Sequence, residues 1–176
     1  LTEDLALRGS VSTGFRAPSL QQQYFTSVAT VFVDGIPTQT GTFAPSSDVA
    51  VALGSPGLDA EEATNYGVGF TWSTDFNFSL SVDYYQILID DRIVLSNNLS
   101  GAGVASLLEG TGANQGRFFL NAIDSKTRGV DVVASYNLVT DNYGDVAFNL
   151  GYNYGKNEVT NIIAPPAELQ SVGVEQ

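Results

Sequence analysis

Between Asn121 and Tyr154, apolar and polar residues alternate in two runs separated by a short polar stretch. Val130, Val132, Ala134, Tyr136 and Leu138 share one parity of the first run, with Asp131, Ser135 and Asn137 on the other. Val146, Phe148, Leu150, Tyr152 and Tyr154 share one parity of the second, opposite Asn149, Gly151 and Asn153. Side chains on a strand switch faces at every residue, so this pattern predicts a hairpin with one apolar and one wet face.

Three further segments alternate in the same way. Leu5, Leu7, Val11 and Phe15 oppose Arg8, Ser10, Ser12 and Gly14, and Tyr66, Val68, Phe70 and Trp72 oppose Asn65, Gly67, Gly69 and Thr71. Phe76, Phe78, Leu80, Val82 and Tyr84 oppose Asn77, Ser79, Ser81 and Asp83. No Asp, Glu, Lys or Arg stands among these apolar positions. Each segment is about as long as the ~9–11 residues of a tilted strand crossing a bilayer.

The connections alternate as well. Ser73-Thr74-Asp75 and the stretch from Val139 to Gly144 are short, whereas Arg16 to Glu62 and Asp90 to Thr127 are long. Bacterial outer-membrane barrels place short turns on the periplasmic side and long loops outside, and this order fits them. Aromatic residues fall at both ends of the segments. Trp72, Phe76, Tyr136 and Tyr143 flank the short turns, and Phe15, Tyr84, Tyr152 and Tyr154 lie towards the long connections. Two aromatic girdles around an aliphatic band are what a barrel shows to lipid. A soluble β-sandwich with an aromatic core uses the same period and is the competing architecture. Within the long connections, Val104 to Glu109 reads as a short helix, and Phe118, Phe119 and Leu120 as the start of a strand extension. Pro165-Pro166 and Gly173 read as the beginning of a further loop.

Composition narrows the chemistry. The 176 residues include no Cys, Met or His, which excludes disulfides, thiol and His-based catalysis, and His or Cys metal sites. Eighteen glycines, 10 Phe and 8 Tyr against 15% charged residues favour β structure. The net charge of −12 argues against a nucleic-acid partner, since neutralising phosphates takes clustered Lys and Arg. No run approaches the ~20 apolar residues of a membrane helix, a screen that strands pass unseen. The chain begins at Leu1 without a signal peptide, which reads as a piece of a longer protein.

Four blocks of residues then bear a family resemblance. Ser12-Thr13-Gly14-Phe15-Arg16-Ala17-Pro18-Ser19-Leu20 is similar to a strand-to-loop signature of TonB-dependent outer-membrane receptors. Glu61 to Gly69 resembles that family's next strand start, with Ala60 in place of the usual Pro and Gly67 in place of the usual Glu. Val82-Asp83-Tyr84-Tyr85 with Ile89-Asp90-Asp91-Arg92-Ile93 resembles a third block. Asn121-Ala122-Ile123-Asp124 continuing through Thr127-Arg128-Gly129-Val130-Asp131 resembles a fourth, with Asp for Glu. The blocks stand in the family's order over most of residues 5 to 155.

The resemblance implies an all-β, antiparallel meander of up-and-down strands, part of a transmembrane barrel of about 22 strands closed by an amino-terminal plug. Strands are expected near 4–16, 63–73, 76–90, 117–139 and 144–158, with long outer loops near 17–62 and 91–126 and no plug domain. It also implies the outer membrane of a Gram-negative bacterium and energised uptake of a ferric siderophore, cobalamin, carbohydrate or similar scarce nutrient. The partners would be outer-membrane lipid, the plug and, through it, the TonB complex, which pulls on the plug to release ligand inward. The plug, the TonB-contacting box and the terminal aromatic lie outside this sequence. A passive porin or adhesin-type barrel, or an extracellular carbohydrate-binding sandwich, are the alternatives. Five strands leave two open edges, so a free fragment is expected to self-associate or to roll its apolar face inward.

Arg16 and Arg128 lie where the signature strands meet outer loops. They are candidate ligand contacts, or partners for loop acids. Tyr24, Phe25, Phe118 and Phe119 are candidates for stacking on ligand. Arg8, Asp83, Asp131 and Asn149 fall on the wet face, facing plug or water, and Gly14 and Gly129 suit a bulge or close strand approach. No cofactor or metal is implied, because Asp90-Asp91 and Glu61-Glu62 match no calcium loop. As an acid and nucleophile pair for an enzyme, nothing shows these carboxylates converging. Gly110-Thr111-Gly112 with Gly116 departs from phosphate-binding loops and lacks their Lys. No catalytic residue is expected.

Overall fold

A computed structural model describes residues 4–33, 35–140 and 144–163. Tyr143, the Pro165-Pro166 pair and Gly173 lie outside them. Strands β1 (Leu5–Arg16), β4 (Glu61–Ser73), β5 (Phe78–Leu95), β6 (Gln115–Leu138) and β7 (Val146–Ile162) occupy the five alternating segments. They join β2 (Ser27–Val33) and β3 (Ile36–Phe43) in one sheet ordered β1-β4-β5-β6-β3-β2, with β7 also pairing with β6. The fold is all-β, with three short helices: α1 (Leu20–Tyr24), α2 (Asp48–Ala52) and α3 (Ala102–Leu107).

The chain divides into two compact units. The first comprises Leu1–Gly14, Ala63–Ile89 and Ser125–Thr160. Its strands keep the two faces read from the sequence, and its apolar face has no cover. Leu7, Val11, Val68, Phe148, Leu150, Tyr152 and Tyr154 are all exposed. Every buried hydrophobic side chain among the described residues belongs to the second unit. A sandwich would bury the apolar face of the first unit against a second sheet, and a fragment rolled inward would bury it on itself. Neither is seen.

Aromatic residues gather at the short-turn end of this unit. Trp72 meets Phe78 edge-on at 5.8 Å, Phe76 stacks on Phe78, and Tyr136 stacks on Phe148. The first short turn runs two residues further than its sequence suggests. Asn77 takes the left-handed conformation at φ 59°, which Asn tolerates better than most residues, and β5 starts only at Phe78. Phe76 therefore lies in the turn rather than in the strand.

The second unit comprises Phe15–Glu62, Asp90–Asp124 and Asn161–Gln176. The two long connections expected as loops are built structures here. β2 and β3 form an antiparallel hairpin closing at Val33 opposite Ile36, with Gly35 at φ 81°. β3 then runs parallel to β6, Thr40 to Phe43 alongside Gln115 to Phe118. Ser47 caps α2 by accepting from the Ala50 N–H, and Ser19 and Gln22 form a reciprocal capping box on α1. Phe43, Ala50, Leu53, Leu99, Val104, Leu108, Phe118 and Leu120 make one core. Burial alternates along the start of β6, with Gly116, Phe118, Leu120 and Ala122 inward, so period two again decides which side is dry.

Candidate functional site

On the wet face of the first unit, Arg8 of β1 reaches across β4 to β5. Its Nε donates to Asp83 at 2.6 Å and its terminal nitrogens donate to Thr71 at 2.6 Å and to Ser81 at 2.7 Å, with a further contact to Asp83. The reach depends on a missing side chain. A Cβ on Gly69 of β4 would stand 2.1 Å from Asp83 Oδ1, so only glycine leaves room for the pair. Gly129 has the same role on β6, where a Cβ would stand 2.5 Å from the Tyr85 ring and 2.6 Å from the Tyr154 carbonyl oxygen. Gly14, by contrast, has no atom within 4 Å of that position. Ser135 donates to Asn149 at 2.9 Å, and Asn153 donates to Asp131. Arg8, Asp83, Asp131 and Asn149 are thus bonded to other strands on their own face.

In the second unit the four signature blocks meet. Glu61, buried at the start of β4, accepts from Arg16 at 2.8 and 2.5 Å and from the Ile93 N–H at 2.8 Å. The Arg16 guanidinium, aided by the Ile93 N–H and the charge of Arg92, holds the Glu61 carboxyl below its ordinary range against the opposing effect of burial. Asn121 donates to the carbonyl oxygens of Asp59 at 3.0 Å and Asp91 at 2.6 Å, and its oxygen accepts from the Asp59 N–H. Asp91 sits at φ 56° inside β5, a conformation that leaves the strand's regular pairing. Its N–H is taken by Asp124, which also accepts from Asn161. These two bonds, the one from the Asp91 N–H foremost, lower the Asp124 pKa. Side chains thereby satisfy both backbone groups of the kinked residue.

The six candidate residues part company. Arg16 is committed to Glu61, and Arg128 to Glu158 at 3.3 Å, a carboxylate it shares with Lys156 at 2.5 Å. Phe118 is 1% exposed in the core of the second unit, and Phe119 is half-buried. Tyr24 at 67% and Phe25 at 43% exposure stay open at the end of α1. Tyr24 and Phe25 share one short exposed segment, whereas the adjacent Phe118 and Phe119 fall on opposite faces of β6. Glu61 and Asn121, the centres of the network, were not singled out from the sequence as site residues. Their signal was their place within the signature blocks. Among the described residues no group of three or more acidic side chains assembles as a metal site.

Comparison with known proteins places this geometry. The family model "TonB dependent receptor-like, beta-barrel" matches residues 1–173. Among solved structures, the siderophore receptor PirA from Pseudomonas aeruginosa aligns over 90% of this chain and 27% of its own, at 17% identity and a TM-score of 0.56. A mutant of the ferric enterobactin receptor PfeA from the same organism aligns over 87% of this chain and 20% of its own, at 20% identity and 0.54. The RagAB peptide importer in its open-open state aligns over 92% of this chain and 16% of its own, at 18% identity and 0.54. No curated protein matches the sequence. The chain spans between 16% and 27% of the length of these three structures. It belongs to the TonB-dependent receptor family, as a segment of the β-barrel domain.

Proposed function

We propose that this chain is part of a receptor in the outer membrane of a Gram-negative bacterium, serving ligand-gated, TonB-energised uptake of a scarce nutrient. Ferric siderophores are the first class to test, because two of the similar structures are siderophore receptors. Cobalamin, carbohydrate and, from the third structure, peptide complete the panel. One observation carries the reading. Among the described residues the first unit buries no hydrophobic side chain and leaves those of its apolar face exposed or half-buried, while its opposite face is bound together by charged and amide side chains. Lipid on one side and a wet lumen holding a plug on the other satisfy both faces. The partners would then be outer-membrane lipid, the protein's own plug and the TonB complex. Arg16 and Arg128 hold the architecture in this reading, and Tyr24 and Phe25 are the candidates left to meet ligand.

The test is uptake of radiolabelled iron, presented as siderophore complexes, by cells carrying the full-length gene. Accumulation should require both TonB and the proton-motive force. Uptake that persists without either would support a passive channel and overturn the energised reading.

A further inference from the structure

We propose that the free edge of β2 is a seam between two copies of the receptor, each pairing its own β2 with the other's, antiparallel about Thr30. The inference is independent of which ligand the receptor carries.

Within the β2–β3 hairpin, Thr30 stands opposite Gln39. The Gln39 side-chain amide donates to the Thr30 hydroxyl at 2.9 Å, and the Gln39 carbonyl oxygen accepts from the Asn114 N–H at 2.8 Å. Gln39 therefore turns its backbone groups away from β2, which makes Thr30 and Gln39 a non-hydrogen-bonded pair of the ladder. Such pairs recur at every second residue, so Val28 opposite Gly41 and Phe32 opposite Pro37 are of the same kind. The N–H and carbonyl groups of Val28, Thr30 and Phe32 thus all point to the free edge. Among the described residues no strand takes them, since β2 ends the sheet.

The two edges of this hairpin are treated differently. Beyond its contact with β6 at Thr40–Phe43, β3 carries Pro37, whose missing N–H falls on the outer side and blunts that edge. β2 has no such guard. From Ala17 to Ser47 the sequence holds a single charged residue, Asp34, and Val28 and Phe32 are 40% and 72% exposed. A row of unpaired backbone groups with no charge or proline to repel a neighbour is a template for another strand. Closure of the barrel engages β1 and β7, the outermost of the long strands, and leaves β2 out.

The strand also matches itself. A twofold axis at Thr30 sets Thr30 against Thr30, Val28 against Phe32 and Ala29 against Val31 of the second copy. Every outward N–H then meets an outward carbonyl, apolar residues meet apolar residues, and no charge faces its own kind. The same surface serves both partners, so the contact closes at two copies.

The experiment uses the full-length receptor, freed of any other cysteines, in intact cells treated with a mild oxidant. Opposed residues at such a seam stand about 5.5 Å apart at Cα, within reach of a disulfide. Thr30→Cys should link copies, so that most of the receptor runs as a dimer on a non-reducing gel. Val28→Cys and Phe32→Cys should stay monomeric when expressed singly and link when expressed together. A charge at the seam supplies a second measurement. Thr30→Lys should weaken the dimer about fivefold in sedimentation of the detergent-solubilised receptor, and mixing it with Thr30→Glu should restore it. Equal linking at all three positions, or a wild-type receptor that sediments as a monomer, would overturn the proposal. A monomer in which Thr30→Cys resists a maleimide would assign the edge to another segment of the same receptor instead.

Discussion

Glu61 accepts from a guanidinium on β1 and a backbone N–H on β5, and it does so while buried. Replacing it with Ala leaves the Ile93 N–H without an acceptor in a dry position, at a cost of about 1–3 kcal/mol. Glu61→Gln keeps an acceptor and should cost less, which thermal unfolding of the purified receptor would show. The pH dependence follows from the lowered carboxyl pKa. A depressed acid stabilises the fold at pH above its ordinary range and loses that contribution as pH falls through the folded value. The gap between wild type and Glu61→Gln should therefore be full at neutral pH and close on acidification below the usual range of glutamate. Gly129→Ala meets backbone as well as the Tyr85 ring, so it should destabilise by about 1–3 kcal/mol, and trimming Tyr85 should not fully relieve it. A melt of Gly129→Ala with and without Tyr85→Ala checks this.

At the scale of elements, Phe118 decides how the long connections behave. It joins β6 to the core built by α2, α3 and β3. Phe118→Ala should cost about 3–5 kcal/mol within the second unit. Hydrogen exchange should then rise in Thr40–Leu53 and Leu99–Leu120, while β6 and β7 beyond Ser125 keep their protection. Equal loss in both units would contradict a core confined to the second.

The five long strands were legible in the sequence because one side of each is apolar throughout, which period two exposes directly. The second unit was not, because its pieces are short and its pairing is non-local. The parallel contact of β3 with β6 joins residues far apart in the chain, and no local pattern encodes it. The β2–β3 hairpin did carry a signal. An Asp-Gly pair in the sequence between two stretches rich in Val and Thr is a hairpin signal, and Gly35 takes the positive φ that such a turn needs. Arg16 was legible as a residue that pairs with an acid. Its partner Glu61 was not, since the two are 45 positions apart. Phe118 read as the start of a strand extension and a candidate for stacking on ligand, because nothing local showed that α2 and α3 would pack over it.

For the whole molecule, the decisive fact is the division between a unit with a core and a unit without one. The second buries its own apolar residues, and the first leaves them exposed along β1 and β7 and exposed or half-buried along β4, β5 and β6. Such a sheet is stable where the surroundings supply what a core would, and a bilayer does so without satisfying any backbone group. The lack of cysteine throughout this chain makes the claim directly measurable. Single cysteines placed in turn from Val146 to Tyr154 of the full-length receptor, freed of any others, can carry a spin label into liposomes. Accessibility to oxygen and to a water-soluble nickel chelate should alternate with period two. Val146, Phe148, Leu150, Tyr152 and Tyr154 should favour oxygen, as lipid requires, and Ala147, Asn149, Gly151 and Asn153 the chelate. Chelate access at every position, or the opposite parity, would contradict the account.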